Sequence, residues 1–135
     1  MSHPDTFQDV LDFHRRFAPN RIGTTPEMPS DNVLSLCHRN IMEEIAELTI
    51  AIANRNLPEI ADAIADAIYV LHGLSISCGI HMDDVWREVH AANMDKVGGA
   101  IRGDGKVLKP AGWQPPDIAG ALASQEPIDA PPWEG

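Results

Sequence analysis

Two long stretches of helix-period hydrophobicity, parted by only a very short turn, limit this chain more than any other feature of it. In residues 31–54, Leu34, Cys37, Ile41, Ile45, Leu48 and Ile52 recur three or four apart, the spacing of one helix face. In residues 57–78, Ile60, Ile64, Ala67, Ile68, Val70, Leu71 and Leu74 cover most of a helical circumference. Asn54-Arg55-Asn56 interrupts the pattern between them, and Pro58 stands where a first-turn proline sacrifices no hydrogen bond. So short a connection predicts antiparallel neighbours, a helical hairpin whose facing sides meet along their length. The second helix of the pair carries more apolar surface than one partner covers, so the fold is expected to be completed by further helices and by oligomerisation.

Shorter elements flank this hairpin. Residues 5–17 set Phe7, Val10, Leu11, His14 and Phe17 on one stripe, with Asp5 or Thr6 as N-cap. Residues 18–30 hold three prolines and a glycine without apolar period and read as a loop, after which Ser30 or Asp31 caps the long helix. Gly79 ends the next helix, and Asp83 or Asp84 caps a fourth over 83–97, which Gly98-Gly99 stops. Gly103-Asp104-Gly105, between Ile101 and Val107-Leu108, predicts a small hairpin. The six prolines from Pro110 to Gly135 predict mostly extended chain. Two of the three tryptophans lie in that stretch and argue that it docks on a surface. The expected architecture is therefore all-α, with four to five helices in a domain over 1–109 and a Pro-rich extension over 110–135.

A chain of 135 residues suffices for one domain. Its 10 Lys and Arg against 20 Asp and Glu, net −10, exclude electrostatic binding to a nucleic-acid polymer or an anionic membrane. A phosphorylated small molecule remains compatible if metal supplies positive charge. The apolar runs fall short of a bilayer, and Asp5, Asp9 and Asp12 occupy the place of a cationic leader. Cys37 and Cys78 form no CxxC pair and read as buried reduced thiols. A cytoplasmic location is expected.

The informative chemistry is acidic. Glu43, Glu44 and Glu47 precede the three-residue connection, while Glu59, Asp62 and Asp66 follow it. Glu44 and Glu47 share a face, as do Asp62 and Asp66, and Tyr69 continues the latter stripe. In an antiparallel hairpin the two sets come level, and carboxylates converging there repel unless protons or cations intervene. Oxygen-only ligands suit Mg²⁺, with Mn²⁺ as the near equivalent. Such a metal serves phosphoanhydride cleavage, with a spare carboxylate, Glu43, as candidate general base. Acidic residues at helical spacing are usually a solvated face. Asp62 and Asp66 fit that reading poorly, because they interrupt an apolar helix.

The run Glu43-Glu44-Ile45-Ala46-Glu47, then Asp62-Ala63-Ile64-Ala65-Asp66-Ala67-Ile68-Tyr69-Val70, resembles the EExxE and ExxD hallmark of the MazG-like all-α nucleoside triphosphate pyrophosphohydrolases. His90-Ala91-Ala92-Asn93-Met94-Asp95-Lys96, Asp104 to Pro110 and Gly112 to Ile118 look like the branch related to phosphoribosyl-ATP pyrophosphohydrolase. The resemblance implies hydrolysis between the α and β phosphates with Mg²⁺, in a homodimer or homotetramer. It implies Glu44 and Glu47 as metal ligands, and Asn93 and Lys96 as phosphate ligands. The ExxD pattern can be laid on Glu59 to Asp62 or its Asp on Asp66. The second register is preferred because Ala-Ile-Tyr-Val follows it. Asp62 then replaces the Glu from one residue earlier, and Glu59 has no assigned role.

Lys106 and Lys109 are further candidates for a phosphate and Tyr69 for substrate contact, while His38, His72 and His90 read as packed or surface residues. The expected function is hydrolysis of a (d)NTP to the monophosphate and pyrophosphate in a house-cleaning role. Two alternatives are a phosphoribosyl-ATP-type substrate and a non-catalytic, metal-binding oligomerisation module.

Overall fold

The computed structural model describes residues 2–135, and among these the architecture is all-helical. It divides into two units, one of residues 2–81 with 126–135 and one of residues 82–125.

In the first unit, helix α1 (Thr6–Phe17) is followed by a single 3-10 turn (Pro19–Arg21), then by α2 (Asp31–Ala53) and α3 (Leu57–Ser77). The caps are those the sequence offers. Asp5, Ser30 and Asn56 each accept a hydrogen bond from the backbone N–H three residues on, which satisfies a donor that the first turn leaves without a partner. Arg55 ends α2 in the left-handed region, φ 51°, the backbone state that lets three residues reverse the chain. The α2–α3 hairpin is the most extensive helix pairing in the molecule. Small side chains of the two helices, Ala51, Ala63 and Ala67, are buried. Phe7, Val10 and Leu11 bring the buried face of α1 to this unit, and Ile76 near the end of α3 is fully buried. Burial of each such side chain stabilises by about 1.5 to 3 kcal/mol. Ile45, Ile52, Ile64, Ile68 and Leu71 remain 41–56% exposed. By length and apolarity α3 also resembles a membrane span. It carries Glu59, Asp62 and Asp66 and packs against α1 and α2.

The loop after α1 is pinned to the end of α3 by backbone. Gly23 N–H donates to Ile76 O (2.9 Å) and Glu27 N–H to Cys78 O (2.9 Å). A Cβ on Gly23 would sit 2.7 Å from Gly79 N, and Gly79 itself has φ +68°. Only glycines allow this approach. Residues 126–135 close over the same side of the unit. Ile128 is buried and its N–H donates to Thr24 O (2.8 Å). Arg15 donates to Pro131 O (2.6 Å) and Pro132 O (3.2 Å), with its guanidinium 5.5 Å from the Trp133 ring centre. The docking expected of that tryptophan is therefore present, although the stretch reads as featureless in sequence.

The second unit contains α4 (Met82–Met94) and α5 (Ile118–Ser124), which pack together. Helix α4 ends three residues before the expected 97, so Lys96 lies in a turn. The Gly-Asp-Gly turn forms, with an antiparallel bridge between Ile101 and Val107. Helix α5 departs from the mostly extended chain that the prolines of 110–135 predict. Asp117 nucleates it by accepting from Gly120 N–H (3.0 Å), and Ile118-Ala-Gly-Ala-Leu is free of proline.

Candidate metal centre

Antiparallel packing of α2 and α3 brings Glu44, Glu47 and Asp66 together, each offering a carboxylate oxygen within 4.8 Å of the others. Glu44 and Glu47 reach this point as an i, i+3 pair on α2. Glu44 and Asp66 are half-buried and Glu47 is exposed. Glu44 Oε2 is shielded from solvent and has no hydrogen-bond partner. An ionised oxygen in that position is costly unless something positive meets it. Burial chiefly, then repulsion from Glu47 and Asp66 and the charge of Glu43, push the Glu44 carboxyl above the ordinary range. The donor set is entirely hard oxygen, carries up to three negative charges and leaves one buried oxygen unmatched. These properties fit a divalent cation of the Mg²⁺ kind. Among the described residues no other three His, Cys, Asp or Glu converge this closely.

Not all six expected carboxylates share the centre. Asp62 is exposed and stands outside the 4.8 Å group. It lies four residues before Asp66, about 6 Å of helical rise toward the connection. Glu43 and Glu59 are likewise exposed and outside it, although Glu43 is close enough to act on the Glu44 charge. Tyr69 packs edge-on against Phe13, ring centres 5.6 Å apart. Burial and the charge of Asp9 raise its phenol. His72 meets Thr6 Oγ1 (3.0 Å) and the Phe7 ring, consistent with packing. Cys37 is buried and neither cysteine is in a disulfide.

The remaining candidates belong to the second unit. Asn93 is exposed on the last turn of α4. The Lys96 and Lys109 ammonium groups lie 5.6 and 4.9 Å from the Trp113 ring centre, attracted by its π-face. The Trp113 indole N–H donates to Ala92 O (2.7 Å), which fixes the ring. Lys106 is exposed on the Gly-Asp-Gly turn, and its backbone N–H donates to Asp104.

A search of curated proteins finds no match to the chain. Residues 10–93, more than half of it and including all six acidic positions, match the profile of phosphoribosyl-ATP pyrophosphohydrolase. The hairpin and its converging carboxylates thus stand inside the matched region, and the chain belongs to the phosphoribosyl-ATP pyrophosphohydrolase family, hydrolases of phosphoanhydride bonds within the MazG-like all-α superfamily.

Proposed function

We propose that the protein hydrolyses a phosphoribosyl-ATP-type nucleotide between its α and β phosphates, releasing pyrophosphate, with Mg²⁺ held by Glu44, Glu47 and Asp66. The family match favours this substrate class over the broader house-cleaning hydrolysis of (d)NTPs that the sequence motifs alone placed first. The observation that carries the metal assignment is the shielded, unmatched Oε2 of Glu44 beside two further carboxylates. When bound, the cation supplies Lewis-acid polarisation of a phosphoryl oxygen and a water acidic enough to serve as nucleophile near neutral pH. Glu43, exposed next to the cluster, accepts the proton of the attacking water. Asp62 adds negative charge one turn away and is an auxiliary ligand. Asn93 and Lys96 hold phosphate, with Lys106, Lys109 and Tyr69 as further substrate contacts. These last assignments rest on the motif resemblance. The half-exposed isoleucines and Leu71 on α2 and α3 support a homodimer or homotetramer, working in the cytoplasm.

The test is pyrophosphate release across a panel of phosphoribosyl-ATP, ATP and the common (d)NTPs, with Mg²⁺ and with chelator. Phosphoribosyl-ATP is expected to give the highest kcat/KM, and Glu47→Gln is expected to lower it by at least about 100-fold without loss of helicity. Equal turnover in that variant would remove Glu47 from the ligand set. A preference for a plain (d)NTP would restore the house-cleaning reading.

A further inference from the structure

The loop that joins α1 to α2 forms, with the end of α3, a cavity of about 460 Å³, within the size range of small-molecule sites. Its lining includes Arg21, Thr24, Thr25, Glu27, Ser30 and Ser77. Arg21 is half-buried, and among the described residues its guanidinium makes neither an ion pair nor a hydrogen bond. In a chain with twice as many acids as bases, an arginine left without a carboxylate beside an open cavity is poised for an anion from outside. Glu27 lines the same cavity and is not paired with Arg21. A guanidinium for a phosphate and a carboxylate for ribose hydroxyls are the complementary groups that a ribosyl phosphate requires. The walls are preset, because the Gly23 and Glu27 N–H groups bond to the end of α3 and Ile128 N–H bonds to Thr24.

The cavity is also in line with the metal centre. Val33, which lines it, and Glu44 are eleven residues apart on α2, as are Ser77 and Asp66 on α3. Eleven residues is about three turns, so both sites lie on the same face of each helix, about 16 Å apart. A plain nucleoside triphosphate anchored with its α phosphate at the carboxylates does not extend that far. A nucleotide that carries a second phosphoribosyl group on its base does.

We propose that this cavity is the subsite for a ribosyl 5-phosphate group, with Arg21 on the phosphate and Glu27 on the ribose hydroxyls. This rests on the phosphoribosyl-ATP reading for its physiological source, since the group would be the distal arm of the substrate. The same chemistry would equally hold a free ribosyl phosphate.

Two measurements on the full chain separate these cases. In steady-state kinetics, Arg21→Gln is expected to raise KM for phosphoribosyl-ATP by roughly 10-fold to 100-fold. It should leave kcat within about twofold and leave any ATP hydrolysis unchanged, and Arg21→Lys should recover part of the loss. In calorimetry, D-ribose 5-phosphate is expected to bind the wild type and not Arg21→Gln. If phosphoribosyl-ATP is not a substrate but ribose 5-phosphate binds in an Arg21-dependent way, the cavity stands as an independent ribosyl phosphate site and only the substrate reading fails. If phosphoribosyl-ATP is hydrolysed with the same KM by wild type and Arg21→Gln, the subsite is overturned. Absence of ribose 5-phosphate binding to a wild type that does not hydrolyse phosphoribosyl-ATP overturns it equally.

Discussion

Replacing Glu44 by Gln should make the metal-free protein more stable while abolishing its activity. With oxygens at most 4.8 Å apart, each ionised pair costs about 1 kcal/mol in water and about 3 kcal/mol at an effective dielectric near 20. The pair with exposed Glu47 belongs near the lower figure because solvent screens it. The pair with half-buried Asp66 lies between the two. The neutral amide removes both repulsions and can donate to either remaining carboxylate, at the expense of burying a polar group. The net gain is about 1 to 3 kcal/mol. For a chain of this size that is a rise in Tm of roughly 4 to 12 °C. The pH dependence follows from the raised Glu44 carboxyl. The folded chain keeps a proton that the unfolded chain has released, so stability is greatest below the unfolded carboxyl value and is lost as pH rises through the folded one. The advantage of the variant should therefore be present at pH 7.5 and shrink toward pH 4.5. Buried His14, whose imidazole is held below its usual range chiefly by desolvation, acts in the opposite sense, losing stability as pH falls below 6.5. It does so in both proteins and cancels in the difference. Thermal unfolding by circular dichroism in chelator, repeated with Mg²⁺, makes the measurement. Mg²⁺ should stabilise the wild type and leave the variant nearly unchanged. A metal-free variant less stable than wild type at pH 7.5, or a difference indifferent to pH, would refute the convergence of charge at this site.

Two further outcomes test the frame around the proposed subsite. Gly23→Ala places a Cβ 2.7 to 3.0 Å from backbone atoms of Ser77 and Gly79, neither of which can rotate away, so a loss of about 2 to 4 kcal/mol is expected in chemical denaturation. An unchanged midpoint would show that the loop and the end of α3 are not in contact. Ile128→Ala should cost about 2 to 4 kcal/mol, as for a buried aliphatic residue, and should raise hydrogen exchange at its partner segment around Thr24. A neutral effect would mean that residues 126–135 do not dock.

The local parts of this structure were legible because they obey local rules. The periodicity of 31–54 and 57–78 marked the hairpin, since apolar residues three and four apart can share a buried face only in a helix. Asp5, Ser30 and Gly79 marked ends for equally local reasons. The acidic spacing indicated that carboxylates from two helices would meet. Which ones do so depends on the axial register of α2 against α3, which the helix period of either one alone does not fix. That register admits Asp66 to the 4.8 Å group and leaves Asp62 outside it.

Residues 18–30 and 110–135 have no period, so their sequence announced only that they are neither long helices nor strands. Their conformations come from partners distant along the chain. Gly23 is held by Ile76, Thr24 by Ile128, and Arg15 by Pro131. The cavity beside Arg21 is lined by residues of the α1–α2 loop, the start of α2 and Ser77 of α3, so side-chain spacing along a single element carries no trace of it. Helix period is a property of neighbours in sequence, whereas a cavity is a property of surfaces that meet only after folding.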